Sequence, residues 1–388
     1  MKTDLKPAFK KENIGLYIHI PFCKSKCIYC DFCSFANQEG LFDTYVEMLK
    51  REMDIYSSKK ADKYCVSTLF VGGGTPSLLG GKRISQVIKH ATTCFDFVPN
   101  AEITVEANPD SLDESFAKEI SIAGANRISI GLQSASDRLL FNLGRPHLFE
   151  DFKQAFKISQ KYFNNINVDL MLGISGQTLS DVKQTLDTVV EFAPQHLSLY
   201  ALILERGTPL NRLVKSGKTT LPTTDETTDM YDYAVQYLAQ QKYARYEVSN
   251  FAKDGYECRH NLNYWDRGNY LGIGLSAHGF CEGVRYANYK SIDKYIAKTS
   301  QNKLPISSKK KVDILDACFE FVFLNLRKTK GFCLQEFFNN TGKDFFEVYG
   351  KLFDELMVKG LLKEEHGRVF IPQEYFYVMN DILSEFVP

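Results

Sequence analysis

Residues 17–35 read YIHIPFCKSKCIYCDFCSF, and the reading of this stretch decides the rest. Its apolar lead, residues 15–20, has the character of a short buried strand that Pro21 ends. The irregular loop beyond carries Cys23, Cys27, Cys30 and Cys33, the first three in a C-x3-C-x2-C spacing. Thiolates this close can converge on one centre, and soft sulfur ligands select zinc or iron–sulfur clusters. Three ligands are too few for a closed structural zinc site, which takes four. They suit a [4Fe–4S] cluster that is held through three irons and leaves the fourth open. Cys33 keeps a zinc site in play as a fourth thiolate, but such a site leaves the strand and the glycine run described next unexplained.

Outward from the loop, apolar periodicity alternates between helix and strand. The pattern predicts strands over 15–20, 67–71, 101–107, 126–131, 166–172 and 196–200. Between and after them it predicts helices over 41–56, 82–95, 112–123, 150–162, 179–192 and 225–241. Six strand–helix units imply a parallel sheet, either doubly wound or a partial (β/α) barrel. Distinctive residues fall where strands end: Cys23, the run Gly72–Gly73–Gly74, Glu106 and Gln133, with Asp169 inside the fifth strand. Parallel α/β folds bind ligands at the carboxyl ends of their strands, so these positions point to one functional face. Taken singly, Glu106, Gln133, Arg145 and Asp169 are ordinary polar positions, and the glycine run is a tight turn. The run matches neither the Walker phosphate loop nor G-x-G-x-x-G.

Composition narrows the class. The 388 residues allow two domains, and 44% hydrophobic with 24% charged residues is ordinary for a soluble globular chain. Lys+Arg and Asp+Glu both number 47, so no net field favours nucleic acid or an anionic membrane, and no nucleic-acid partner is expected. Residues 1–13 are polar and lysine-rich without the apolar core of a signal peptide, and no apolar run reaches the length of a membrane span. Ten cysteines without a secretory signal read as reduced thiols and metal ligands, which places the protein in the cytoplasm.

Several stretches together resemble a known family: YIHIPFCKSKCIYC, LFVGGGTPS, VEANPDS, RISIGLQSASDRLLFNLGRPH and NVDLMLGISGQT. They are similar to the radical S-adenosylmethionine (SAM) proteins of the coproporphyrinogen dehydrogenase group, most of all its HemW branch of heme chaperones. The resemblance runs from Tyr17 to about Phe280 and implies a six-unit partial TIM-like barrel of the radical SAM type. It implies that Cys23, Cys27 and Cys30 hold a [4Fe–4S] cluster whose fourth iron is chelated by SAM. Reductive cleavage of the SAM carbon–sulfur bond would then give methionine and a 5′-deoxyadenosyl radical. By the same resemblance, Gly73, Gly74 and Thr75 would meet the methionine part of SAM and Arg145 its carboxylate. Gln133 and Asp169 would meet the ribose, Glu106 would add a polar contact, and Tyr17 and Tyr29 would flank the cluster loop.

Two departures bear on the branch. The porphyrinogen-oxidising enzymes carry a further cysteine two positions after the third ligand, where this chain has Phe32; Cys33 follows one residue later. Those enzymes also have a longer segment ahead of the cluster, whereas 22 residues precede Cys23 here. A third feature, His260-Asn261-Leu262-Asn263-Tyr264-Trp265, matches the HNxxYW motif of the HemW branch, and His260 becomes a candidate axial ligand of heme iron. Cys258 and His278 are rival ligands, and a polar turn anchored by Trp265 is the plain structural alternative. The implied function is a heme chaperone that delivers heme to an acceptor, such as a membrane respiratory protein. A small reductant protein such as a flavodoxin would serve the cluster. The alternative is the enzyme, an oxygen-independent coproporphyrinogen III dehydrogenase.

The expected organisation is an arm over 1–14, the barrel over 15–242, an extension carrying the motif over 243–306, and a small C-terminal α+β domain over 307–388. The lysine-rich stretch 307–311 marks the last boundary. Helices predicted over 312–326 and 345–359, followed by a hairpin at 361–364 and 368–371, suggest a winged-helix-like module. Phe337, Phe338, Phe345, Phe346 and Phe353 are expected in its core.

Overall fold

A computed structural model describes residues 11–387. Six parallel strands form the middle of one sheet: β1 (Glu12–Ile20), β2 (Tyr64–Gly73), β3 (Phe97–Ala107), β4 (Arg127–Gln133), β5 (Ile166–Leu172) and β6 (His196–Ala201). Each is an apolar run with buried side chains on both faces, as a helix-covered parallel sheet requires. The main intervening helices are Phe42–Lys60, Gly81–Cys94, Glu114–Ile122, Phe149–Ser159, Leu179–Glu191 and Thr224–Gln240, close to the periods in the sequence. The expected partial (β/α) barrel is present.

Six further strands widen the sheet: β7 (Ala244–Arg245), β8 (Asn250–Ala252), β9 (Tyr270–Ile273), β10 (His278–Cys281), β11 (Val284–Asn288) and β12 (Ile306–Lys311). The spatial order is β12-β11-β10-β9-β1-β2-β3-β4-β5-β6-β8-β7. Strand β9 lies parallel to β1, with Gly15 opposite Tyr270. The strands at the two ends of this order, β12 and β7, are not paired with each other, so the barrel stays open.

The stretch 307–311, expected as a domain boundary, lies in the edge strand β12, with Lys309, Lys310 and Lys311 exposed. Its low apolar content reflects an edge that charge protects from further pairing. Residues 12–14 likewise belong to β1, while residues 1–10 of the expected arm fall outside the described residues.

The C-terminal part has its own core. Helix Ile314–Asn325, β13 (Phe332–Cys333), helices Leu334–Thr341 and Phe345–Val358, and the hairpin β14 (Lys363–Glu365) and β15 (Arg368–Phe370) give a winged-helix arrangement with strand order β13-β15-β14. Phe337, Phe345 and Phe353 are buried with Phe321 and Phe332. Phe338 and Phe346, expected beside them, are instead 52% and 44% exposed, on the outward faces of their helices. Glu320 ties this part to the sheet: it accepts from Arg267 Nε (2.8 Å) and Arg285 Nε (2.6 Å), and both guanidinium groups lie over the Phe280 ring.

Candidate functional site: a cysteine loop over the strand ends

The cysteine loop is closed at its neck by backbone. Phe35 N donates to Pro21 O (2.8 Å) and Cys23 N to Phe35 O (3.0 Å). Its tip is held by two neighbours, with Ile28 N donating to Leu143 O (3.2 Å) and Leu210 N to Ile28 O (2.9 Å). Strand β2 meets the loop backbone to backbone: Gly74 N donates to Ile20 O (2.8 Å) and Thr75 N to Phe22 O (2.7 Å). A Cβ on Gly74 would lie 2.6 Å from Phe22 O, so this approach requires glycine. Gly73 adopts φ +116°, a conformation open to glycine.

Beneath the loop lies a cavity of about 570 Å³. Cys23, Cys27 and Cys30 line it together with Tyr17, Tyr29, Gly73, Gly74, Thr75, Glu106, Gln133, Arg145 and Asp169. Every residue that the sequence assigned to the cluster and to SAM therefore borders one space. His260 borders it as well.

Its polar groups are held from several strands. Arg145 follows the left-handed cap Gly144 (φ 68°) that ends helix Asp137–Leu143. Its Nη2 donates to Asn108 Oδ1 (2.8 Å) and Gly131 O (2.7 Å), and its Nη1 lies 3.6 Å from Cys27 Sγ. The Arg145 Nε is buried without a protein partner. Glu106 Oε2 accepts from Gly73 N at 3.0 Å. Burial, then the nearby Asp169, push the Glu106 carboxyl up to about 7. Asp169 accepts from Asn167 Nδ2 (2.8 Å) and Ser129 Oγ (3.1 Å), and burial raises its carboxyl despite those bonds. Asn108 was not assigned from the sequence, although its Asn–Pro pair closes β3; it bridges Arg145 and Thr75, donating to Thr75 Oγ1 at 3.3 Å.

The spacing of the donors bears on zinc against a cluster. Among the described residues, the only three metal-ligating groups whose ligand atoms all lie within 4.8 Å of one another are Asp54, His90 and Cys94. At least one pair of the three loop sulfurs is therefore more than 4.8 Å apart, against about 3.8 Å on one tetrahedral zinc with Zn–S bonds of about 2.3 Å. That spread, with Thr75 Oγ1 3.6 Å from Cys23 Sγ and Arg145 beside Cys27 Sγ, suits a larger cluster with donors to its sulfurs. Cys33 does not join them: it borders a different cavity with His19 and Lys290.

His260 is packed into the wall of the cavity. It is 1% exposed and stacked on Phe70. Its Nδ1 sits 2.7 Å from Thr68 Oγ1 and its Nε2 2.9 Å from Tyr264 Oη. Burial, then Arg127, lower its pKa to about 3. Both ring nitrogens are engaged here, so ligation of iron by His260 would require Thr68 or Tyr264 to release it. Cys258 is fully buried beside Glu102, so it is no better placed.

Residues 17–189 match the Radical SAM superfamily, and residues 312–374 match the HemN C-terminal domain. The heme chaperone HemW of Escherichia coli (strain K12) is 36% identical over 383 residues, covering 93% of this chain and 97% of that protein. The chain belongs to the HemW family of radical SAM proteins. Its relative in Lactococcus lactis, also a heme chaperone HemW, is 33% identical and covers 96% of each chain. The HemW protein of Bacillus subtilis is 33% identical over 96% of this chain and 98% of its own. In fold, the chain is similar to the coproporphyrinogen III oxidase (HemN) of E. coli, with a TM-score of 0.84 at 22% identity, covering 98% of this chain and 91% of that one. In this HemW family member, Phe32 stands 64% exposed at the mouth of the cluster cavity. No helix among the described residues is long and apolar enough to cross a membrane.

Proposed function

We propose that this protein is a cytoplasmic heme chaperone that binds heme and passes it to an acceptor protein. The observation that carries the reading is the full-length relationship to HemW relatives, joined to a HNxxYW motif that borders the cysteine cavity. Cys23, Cys27 and Cys30 hold a [4Fe–4S] cluster, which supplies one-electron chemistry when bound. Gly73, Gly74 and Thr75 receive the methionine end of SAM, and Arg145 pairs with its carboxylate through charge-assisted hydrogen bonds. Glu106 faces the α-amino group, while Gln133 and Asp169 receive ribose hydroxyls. Tyr17 and Tyr29 wall the loop and keep water from it. A small reductant protein would supply the electron to a cluster held by Cys23, Cys27 and Cys30, and a respiratory protein at the membrane would be the acceptor.

The test is an anaerobic assay of cluster-reconstituted protein with SAM, a reductant and coproporphyrinogen III, alongside a heme titration followed by absorbance. Stoichiometric heme binding with no decarboxylated product is expected. Product over many turnovers would make the protein a dehydrogenase instead.

A further inference from the structure

A second cavity, of about 620 Å³, lies against the cysteine loop. It shares Tyr17, Phe32 and Tyr264 with the cluster cavity and adds Cys33, His278 and Lys290. Three imidazoles border these two spaces, and they differ in one respect. His260 has both nitrogens engaged, as described above. His19 does too, with Nδ1 2.9 Å from Tyr17 Oη and Nε2 3.0 Å from Cys33 O. His278 is exposed, and its ring forms no hydrogen bond among the described residues. It opens β10 opposite Ala287 of β11, and the backbone of Gly272 packs so closely beneath it that a Cβ there would meet His278 O. The imidazole therefore stands on a rigid base. Burial, then Lys290 and Arg285, lower its pKa, which keeps the ring neutral and its lone pair available near pH 7.

The surroundings suit a flat, dianionic macrocycle. Phe32 presents its ring at the shared mouth, and Tyr264 meets Tyr270 edge-on at 4.6 Å between centroids. Lys26 and Lys290 supply cations against one carboxylate, Asp31. The volume falls within the usual range for small-molecule sites.

We propose that this second cavity is the heme site, with His278 as the iron ligand and Lys26 and Lys290 facing the propionates. His260 is then a positioning residue: through its Nε2 contact it holds Tyr264, which forms part of the wall between heme and the cluster cavity. This assignment rests on the heme-chaperone reading and goes beyond it by separating the heme site from the motif histidine.

The test titrates cluster-reconstituted protein with hemin and records absorbance and electron paramagnetic resonance for the wild type, H278A, H260A and C33S. H278A is expected to weaken hemin binding on the order of tenfold or more and to change the spin state, with cluster iron unchanged. Added imidazole should restore the wild-type signal to H278G. A K26A/K290A variant should lose affinity for hemin but not for its propionate diester. If wild-type protein binds hemin and H278A keeps the same spectrum and affinity, the assignment fails while the chaperone reading stands. It fails in the same way if C33S or H260A alone removes the axial ligand. If wild-type protein binds no hemin, both fall together.

Discussion

At Glu106 two demands meet, a buried carboxyl and a strand end built to face a ligand. Burial and Asp169 raise its pKa to about 7, so near neutrality the free site is partly protonated. A raised carboxylate pKa gives stability that is present below about pH 4.5 and lost as pH rises through about 7. In the proposed SAM site the iron-bound amino group would be neutral and would donate a hydrogen bond to Glu106, which favours the ionised carboxylate and releases its proton. SAM affinity should therefore climb with pH below about 7, approaching tenfold per unit, and level off above it. Glu106→Gln should flatten this profile and weaken binding by about tenfold, as read by calorimetry across neutrality. A slope that survives the substitution would assign the titration to another group, with Asp169 the first candidate.

Cys27→Ser belongs at the same scale. The loop neck is closed by the backbone of Pro21, Cys23 and Phe35 rather than by sulfur. The variant should lose nearly all cluster iron while its far-ultraviolet circular dichroism stays that of the wild type. Some residues were legible before the fold was known because they sit where strands end, as Gly73, Glu106 and Gln133 do. Asn108 was not, because its role depends on Arg145 reaching across from another element. The setting of His260 was hidden for a related reason. A motif can be recognised from spacing, but whether its imidazole is free depends on Thr68 and Tyr264, one on a distant strand.

Among elements, the contact between the end of β2 and the cysteine loop governs the site. Gly74→Ala would drive a methyl group into the carbonyls of Phe22 and Ile20, both backbone and unable to rotate away. The loop would have to move, at a cost of about 1–3 kcal/mol. The melting temperature and the iron retained after desalting should both fall; an unchanged iron content would mean that the loop tolerates the shift. The lysine-rich β12 shows why element boundaries are harder to read than element types. Its alternation is hidden because only Ile306 meets the core and the other five residues are exposed, so pairing to β11 makes it a strand.

For the whole molecule, Glu320 is one of the fastenings between the winged-helix part and the sheet, beside Lys328 on Asp266 and Arg245 on Gln373. Burial acts to raise its pKa, but hydrogen bonds from Arg285 and Arg267 prevail and lower it. Its contribution is therefore present above the usual carboxylate range and is lost as pH falls through the depressed value. Glu320→Ala leaves two guanidinium groups facing each other over Phe280 and should cost about 2–3 kcal/mol, less than a fully buried pair because the site is partly solvated. Limited proteolysis near residues 312–330 should accelerate, while SAM binding stays unchanged. Equal digestion of both proteins would show that the second core holds the junction without this carboxylate.

The place of β1 has a consequence for how the chain is made. Its partner on one side, β2, leaves the ribosome soon after it, and each later parallel strand to β6 finds its neighbour already synthesised. Its partner on the other side is β9, where Gly15 must wait for Tyr270. Until then β1 carries a bare edge, and non-local pairings of this kind are slow and vulnerable to aggregation. The nascent chain thus completes the strand ends beneath the cysteines long before His278 and Lys290 exist. If His278 and Lys290 hold the heme as proposed, cofactor loading during translation can precede the capacity to accept cargo, and the connectivity of the sheet sets an order of maturation.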